Sequence, residues 1–380
     1  MGAYSVRCAW SAAGVAAAVV IASVALPQLV TFHHGAAHST NVVAAAPIGT
    51  LMSPSSASLP TTVVTRGAPQ STAPVSRSPV KKGCAASPHV CGYPDATNTG
   101  VPTSVHLLSV PSQVSSGPGW KYDPRGWVEV YGDGAVLSGL YIPTNLDVSA
   151  SNVTIKDVEV VETGQSMGIS LRNTSNVMIE DSDIYSPYAS GPNRLQVAIK
   201  DVFGDSTGTV VDANNIWHTS TAIMLSEGTA ENNYVHDLAY NTGDHVNGIV
   251  SDAGVAAGLM IVHNTVFNPV GQTDCIGILE SFGEQFNVLV ADNLLSGAGY
   301  TIYGGANAGR WIPSNIVITN NRIARTYYPN GGYYGPAADV AAGVNGNVWS
   351  GNIWDATGAP VKFVSGTVST VRRQAAYPVT

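Results

Sequence analysis

From about residue 128 onward the apolar residues recur in one short pattern, apolar-x-apolar-x-x-Asn-x-apolar, and not with the period of a helix. The pattern reads AVLSGLYI at 135, VTIKDVEV at 153, VMIEDSDI at 177, TVVDANNI at 209 and GTAENNYV at 228. It continues as LMIVHNTV at 259, VLVADNLL at 288, IVITNNRI at 316 and a degenerate NVWSGNIW at 347. The third and eighth positions are apolar each time, from Leu137 and Ile142 to Trp349 and Trp354. Copies start 18 to 32 residues apart, which suits one short-stranded turn of a solenoid, whereas a β-propeller blade needs roughly 40 residues or more.

Period-two alternation in the first three positions makes each copy a strand with one buried face, and the polar step after it makes a bend. Asn214, Asn233, Asn264, Asn293, Asn321 and Asn352 hold the sixth position in six successive copies. Asn tolerates the left-handed backbone that a tight bend needs, so the bend is expected at these residues. Turns stacked about 4.8 Å apart would let the six side chains bond up and down a buried ladder, a structural role. A second apolar strand is expected after each bend, marked by Ile169, Ile199, Ile223, Ile249, Ile278 and Ile302. The expected fold is all-β, a parallel solenoid of about nine turns.

Composition divides the chain into three. Residues 1–28 read as an export segment, with Arg7 ahead of an uncharged run from Cys8 to Leu26 and then Pro27. Two outcomes stand side by side: cleavage at the small residues Ser23 and Ala25, or an uncleaved anchor, the chain's only membrane contact. Residues 29–83, rich in Ala, Ser, Thr and Pro, cannot bury a core and read as a disordered tether. Residues 84–380 are the β-helix domain, expected as a monomer in a secreted or cell-surface setting. Only 11% of the 380 residues are charged, and residues 84–380 carry 12 basic against 25 acidic side chains. That acidic body disfavours nucleic acid as a partner. In an oxidising compartment Cys84 and Cys91 are expected to form a disulfide, with a zinc pair as the other reading, while Cys275 reads as a small buried apolar residue.

The repeats resemble those of right-handed parallel β-helix proteins of the pectate-lyase-like superfamily. The stretches CGYPDATNTGVP (91–102), NNYVHDLAYNTGDHVNGI (232–249), SGAGYTIYGG (296–305) and YYGPAADVAAGVNGNVWSGNIWD (333–355) are similar to secreted actinobacterial members. The resemblance covers about residues 84–365 and implies a right-handed β-helix that meets a polysaccharide. It leaves open a lyase, a hydrolase, a non-catalytic glycan binder or a purely structural solenoid.

Loops 185–196, 236–247, 267–276 and 324–339 are long and are expected to wall a groove on one side of the solenoid. His218 and Asp237 share one register, four residues past their ladder Asn, and are the expected acid-base pair; a solvent-facing polar column is the plain alternative. Asp244 and His245 complete the richest polar stretch. Members of the resembled family carry an HNDGI-like segment here, and this chain has His245-Val246-Asn247-Gly248-Ile249, with Asn247 in place of the aspartate. Counting back from Ile249 sets Asn247 in an inward column with Met167, Val197, Thr221, Ile276 and Tyr300. The outward column is then Ser170, Lys200, Met224, Val250, Leu279 and Tyr303, in which Lys200 is the only base a lyase could use. Ca²⁺ is the one cofactor the resemblance implies, with Asp201 and Asp205 near Lys200 as its candidate ligands. A hydrolase would draw on Asp274, Glu280 and Glu284. Trp311, Tyr327, Tyr328, Tyr333 and Tyr334, with Tyr303 and Arg325, are expected either to stack on sugars or to close the C-terminal end.

Overall fold

A computed structural model describes residues 83–255, 257–306 and 311–363. The export segment and all of the tether but Gly83 lie outside the described residues. From Val136 onward the chain winds as a parallel β-solenoid of nine turns, with no α-helix among the described residues. A 17-stranded sheet and an 11-stranded sheet form its sides.

Each complete turn holds three strand positions, one more than the alternation implied. In the third turn they are Met178–Glu180, Asp183–Tyr185 and Leu195–Asp201. The first and second positions, on either side of the bend, belong to the larger sheet, and the third belongs to the smaller. The third and eighth residues of the repeat point into a shared apolar interior: Leu137, Ile155, Ile179, Val211, Ala230, Ile261, Val290 and Ile318 are buried, as are Ile184, Ile216, Val235, Val266, Leu295 and Ile323.

The bend differs from expectation in one respect. The left-handed residue is the fifth of the repeat, not the ladder Asn at the sixth: Gly139, Asp157, Asp181, Ala213, Asn232, His263, Asp292, Asn320 and Gly351 all have φ between 47° and 65°. Released from that duty, the six sixth-position Asn side chains turn inward and are buried. Asn214 Nδ2 donates to Asn233 Oδ1 (3.1 Å), Asn233 to Asn264 (2.9 Å), Asn264 to Asn293 (3.0 Å), Asn293 to Asn321 (2.9 Å) and Asn321 to Asn352 (2.8 Å). Each Oδ1 also accepts the backbone N–H of the preceding Asn, as in Asn233 N to Asn264 Oδ1 at 3.0 Å. Ser182 extends the ladder upward, its N–H reaching Asn214 Oδ1 at 3.1 Å.

Before the solenoid starts, the chain crosses it as a strap. Gly83 N donates to Asp355 O, and Cys84 N and Ala85 N to the two Asp355 carboxylate oxygens, all at the last turn. The strap then runs back along the outside of the second strands. Tyr93 stacks on His263 at 5.3 Å, and Gly100 N donates to Ala213 O at 2.9 Å. Cys84 and Cys91 are bridged within it. The strands Ser116–Gly117, Trp120–Asp123 and Trp127–Val130 form an antiparallel meander that extends the smaller sheet at its first end. Trp349 and Phe363 pack with tilted rings at the opposite end (5.3 Å), where Arg325 lies 3.8 Å from the Trp354 ring.

Candidate functional site

The third strands lie side by side on the smaller sheet, and their outer face carries a long cleft. One part, of about 490 Å³, is lined by residues from Gln165 in the second turn to Phe282 after the sixth. A second part, of about 520 Å³, shares Lys200, Met224, Asp252 and Phe282 with the first, so the two are continuous. The cleft runs across five turns, along the solenoid axis.

Register decides which side chains form its floor. Met167, Val197, Thr221, Asn247 and Asp274 are partners across successive third strands, and Tyr300 continues the column in the seventh turn. This corrects the sequence reading twice. Asp274, not Ile276, stands beside Asn247, and the column faces the cleft instead of the interior: Met167, Val197, Thr221 and Asn247 all line it. Gly248, beside Asn247, holds an inner position, since a side chain there would meet Val266 Cγ1 and Cys275 O. The second floor column is Ser170, Lys200, Met224, Val250, Gly277 and Tyr303, with Gly277 in the place expected for Leu279. The slip has a simple cause. The strand Asp274–Ile278 holds two fully buried isoleucines, Ile276 and Ile278, and the apolar pattern cannot say which of them matches Ile249.

Turns on the far side of the third strands supply a rim that sequence reasoning missed. Phe203 is 65% exposed and Phe282 is 83% exposed, and both face the cleft. Each sits on a built turn. Asp201 accepts the N–H groups of Gly204 and Ser206 (both 3.2 Å), while Phe282 N donates to Asp252 O (3.1 Å) and Ser281 Oγ to Asp252 Oδ1 (2.9 Å). The available signal was the Phe-Gly pair that follows the third strand in both VFGDS and SFGEQ.

The opposite wall comes from loop 236–247, which brings Gly243, Asp244 and His245 to the cleft. Asp244 is held in place: its carboxylate takes Arg194 Nη2 (2.6 Å), Arg194 Nε (2.7 Å), Ser220 Oγ (2.6 Å) and Asn241 N (3.0 Å). Burial would raise this carboxyl, but the Arg194 and Ser220 bonds outweigh it and hold the group below its ordinary value. With Arg194 wholly buried, Asp244 anchors the loop. His245 is exposed and Lys200 half-buried, and among the described residues neither makes a side-chain hydrogen bond or ion pair.

Of the other expected walls, Gln196 at the end of 185–196 and Thr273 reach the cleft, and 324–339 contributes nothing to it. The range 267–276 overlaps the strand Asp274–Ile278 and the range 324–339 encloses Gly335–Ala338, so the true loops are shorter than expected.

His218 and Asp237 are stacked neighbours joined through the backbone, His218 N to Asp237 O at 3.1 Å, but their side chains engage other groups. His218 Nδ1 meets Ser186 O at 2.9 Å and Asp237 Oδ2 meets His236 Nδ1 at 2.7 Å. The His236 bond holds the Asp237 carboxyl below its ordinary value against desolvation. Neither residue lines the cleft.

The predicted sugar-stacking set is dispersed. Tyr303, Tyr300, Tyr334, Tyr333 and Tyr328 form one chain of ring contacts, pinned by Tyr328 Oη to Pro269 O at 2.8 Å. Tyr327 is exposed and lies near Asp237, Arg325 covers Trp354, and Trp311 is half-buried beside Glu280.

Two acids near the cleft are held against ionisation. Asp274 is fully buried, and both its oxygens lack a hydrogen-bond donor, as does Asn247 Oδ1 next to it in register. Burial, assisted by the charge of Asp252, lifts the Asp274 carboxyl well above its usual range. Burial also pushes Glu280 up to about 7, with the Trp311 backbone N–H opposing it. Among the described residues no three His, Cys, Asp or Glu side chains gather in a way that would hold a metal ion. Nor is any helix there long and apolar enough to cross a membrane.

No protein family, curated protein or solved structure matches the chain.

Proposed function

We propose that the protein is exported and binds a linear polysaccharide along the third-strand cleft. The observation that carries this reading is the continuity of the cleft across five turns, with Phe203 and Phe282 exposed along its rim. Exposed rings offer apolar faces to sugar C–H groups, and the floor supplies amides and hydroxyls from Gln165, Gln196, Thr221 and Asn247 for the sugar hydroxyls. A polymer lying along the axis meets the same strand position once per turn, about every 4.8 Å. The Cys84–Cys91 bridge and the apolar segment ahead of the tether support export. Retention of the full chain by immobilised polysaccharides, lost in a Phe203→Ala, Phe282→Ala double variant of unchanged melting temperature, is the expected result. Equal retention of the double variant would remove the cleft from the reading.

Cleavage of the bound chain is a second reading. It is favoured by Lys200 and His245, which line the same cleft without a side-chain partner among the described residues. Assays for unsaturated products and for new reducing ends separate it from binding alone. Under the cleavage reading, Lys200→Ala or His245→Ala abolishes turnover while retention persists.

A further inference from the structure

We propose that the cleft selects a neutral glycan over an acidic one. The inference rests on the cleft being a glycan site and names the class of polymer it takes.

A polyuronate carries a carboxylate on every sugar. Laid across five turns, it would bring several negative charges against the floor, and each would lose water without gaining a partner unless a cation stood near it. The register shows where such cations would have to be. One floor column reads Ser170, Lys200, Met224, Val250, Gly277 and Tyr303, of which Lys200 and Met224 line the cleft and Lys200 is the one cation. The adjoining column places Met167, Val197, Thr221 and Asn247 on the cleft, and none of them is a cation. Arg194 lies beneath the wall, but it is fully buried and its guanidinium is taken by Asp244 at 2.6 and 2.7 Å. Asp252, which lines the cleft with Lys200, adds a negative charge. At longer range the excess of acids over bases in residues 84–380 repels any polyanion before contact.

The same surfaces suit an uncharged polymer. Met224, Phe203 and Phe282 supply apolar area, and the floor amides and hydroxyls bond sugar hydroxyls with no charge to neutralise.

Affinity electrophoresis of the full chain tests this, with gels holding a mixed-linkage glucan, a mannan or a dextran against gels holding polygalacturonate, alginate or hyaluronan. The expected result is retardation by at least one neutral polymer at an apparent affinity roughly tenfold or more above that for every polyanion at low salt. The exposed Phe282 is the control: Phe282→Ala should cut the neutral retardation while the melting temperature stays the same. Tighter retardation by a polyanion, weakening as salt rises, would overturn the neutral assignment and leave the glycan reading intact. If none of the six polymers retards the chain, both fall together.

Discussion

The bend side and the cleft side of the solenoid are made by the same nine repeats, yet they solve the problem of buried polar groups in opposite ways. Along the bend, six Asn side chains are buried and each finds donors and acceptors in neighbouring turns. Along the cleft, Asn247 and Asp274 stand in the same kind of stacked column, and three of their oxygens have no donor. A ladder of one residue type satisfies itself because each amide both donates and accepts. A column that runs Met, Val, Thr, Asn, Asp cannot. Regularity in a solenoid therefore marks structure, and the turns where it breaks are where a ligand has something to bind.

The comparison is broken most severely by cutting the anchor of the cleft wall. Arg194→Ala leaves the Asp244 carboxylate half-enclosed and without its cation, a loss of about 3–5 kcal/mol by the usual cost of breaking a buried pair. Chemical denaturation should show it as a lower midpoint, and cleft binding should fall with it as loop 236–247 comes loose. A midpoint equal to that of the unaltered chain would mean that the wall is held by something other than this pair.

Asn264→Leu tests the bend side. It removes the acceptor of Asn233 N and Nδ2 and the donor to Ala230 O, with each orphaned group costing about 1–3 kcal/mol. A melting temperature that does not fall would rule out a ladder that contributes to stability.

The cleft acids titrate in the direction opposite to that of a paired carboxylate. Asp274 is held above its ordinary value of 3.8, so its neutral form stabilises the fold. That contribution is complete below 3.8 and is lost as pH rises through the raised value. Melting curves from pH 4 to 9 should show Asp274→Asn gaining on the unaltered chain as pH rises, and parallel curves would contradict the burial argument. Glu280, raised to about 7, gives a smaller effect of the same sign, complete below its ordinary 4.5 and lost through about pH 7. Glu280→Gln should flatten that part of the curve.

The smallest effect on stability belongs to the rim. Phe282→Ala removes a ring that is already in water, so the melting temperature should move by no more than about 0.5 kcal/mol equivalent while glycan retention falls. A large drop in stability would recast Phe282 as part of the packing.

Much of this architecture is legible in the chain. Nine copies of one apolar pattern specify a parallel solenoid because stacked identical turns bury identical positions, and the Asn at the sixth step specifies a ladder for the same reason. The Cys84–Cys91 bridge follows from two cysteines close in sequence ahead of the core. What escaped was local. The left-handed backbone falls on the fifth position, where Gly, Asp, Ala, Asn and His alternate and no single residue type marks it. His218 and Asp237 share a register as expected, but a shared register fixes Cα positions and not the direction of side chains that find nearer partners in Ser186 and His236.

The sequence by itself determined the repeat, the interior and the ladder, because these depend on side-chain types that recur at fixed steps. Only the tertiary structure decided the cleft. Asn247 lines the cleft although it stands two residues before the buried Ile249, and whether Asp274 or Ile276 stands beside it turns on backbone hydrogen bonds between neighbouring turns. In a strand a shift of one residue exchanges the two faces. Where two buried isoleucines lie two positions apart, the apolar pattern fits either register, and contact with the next turn selects one.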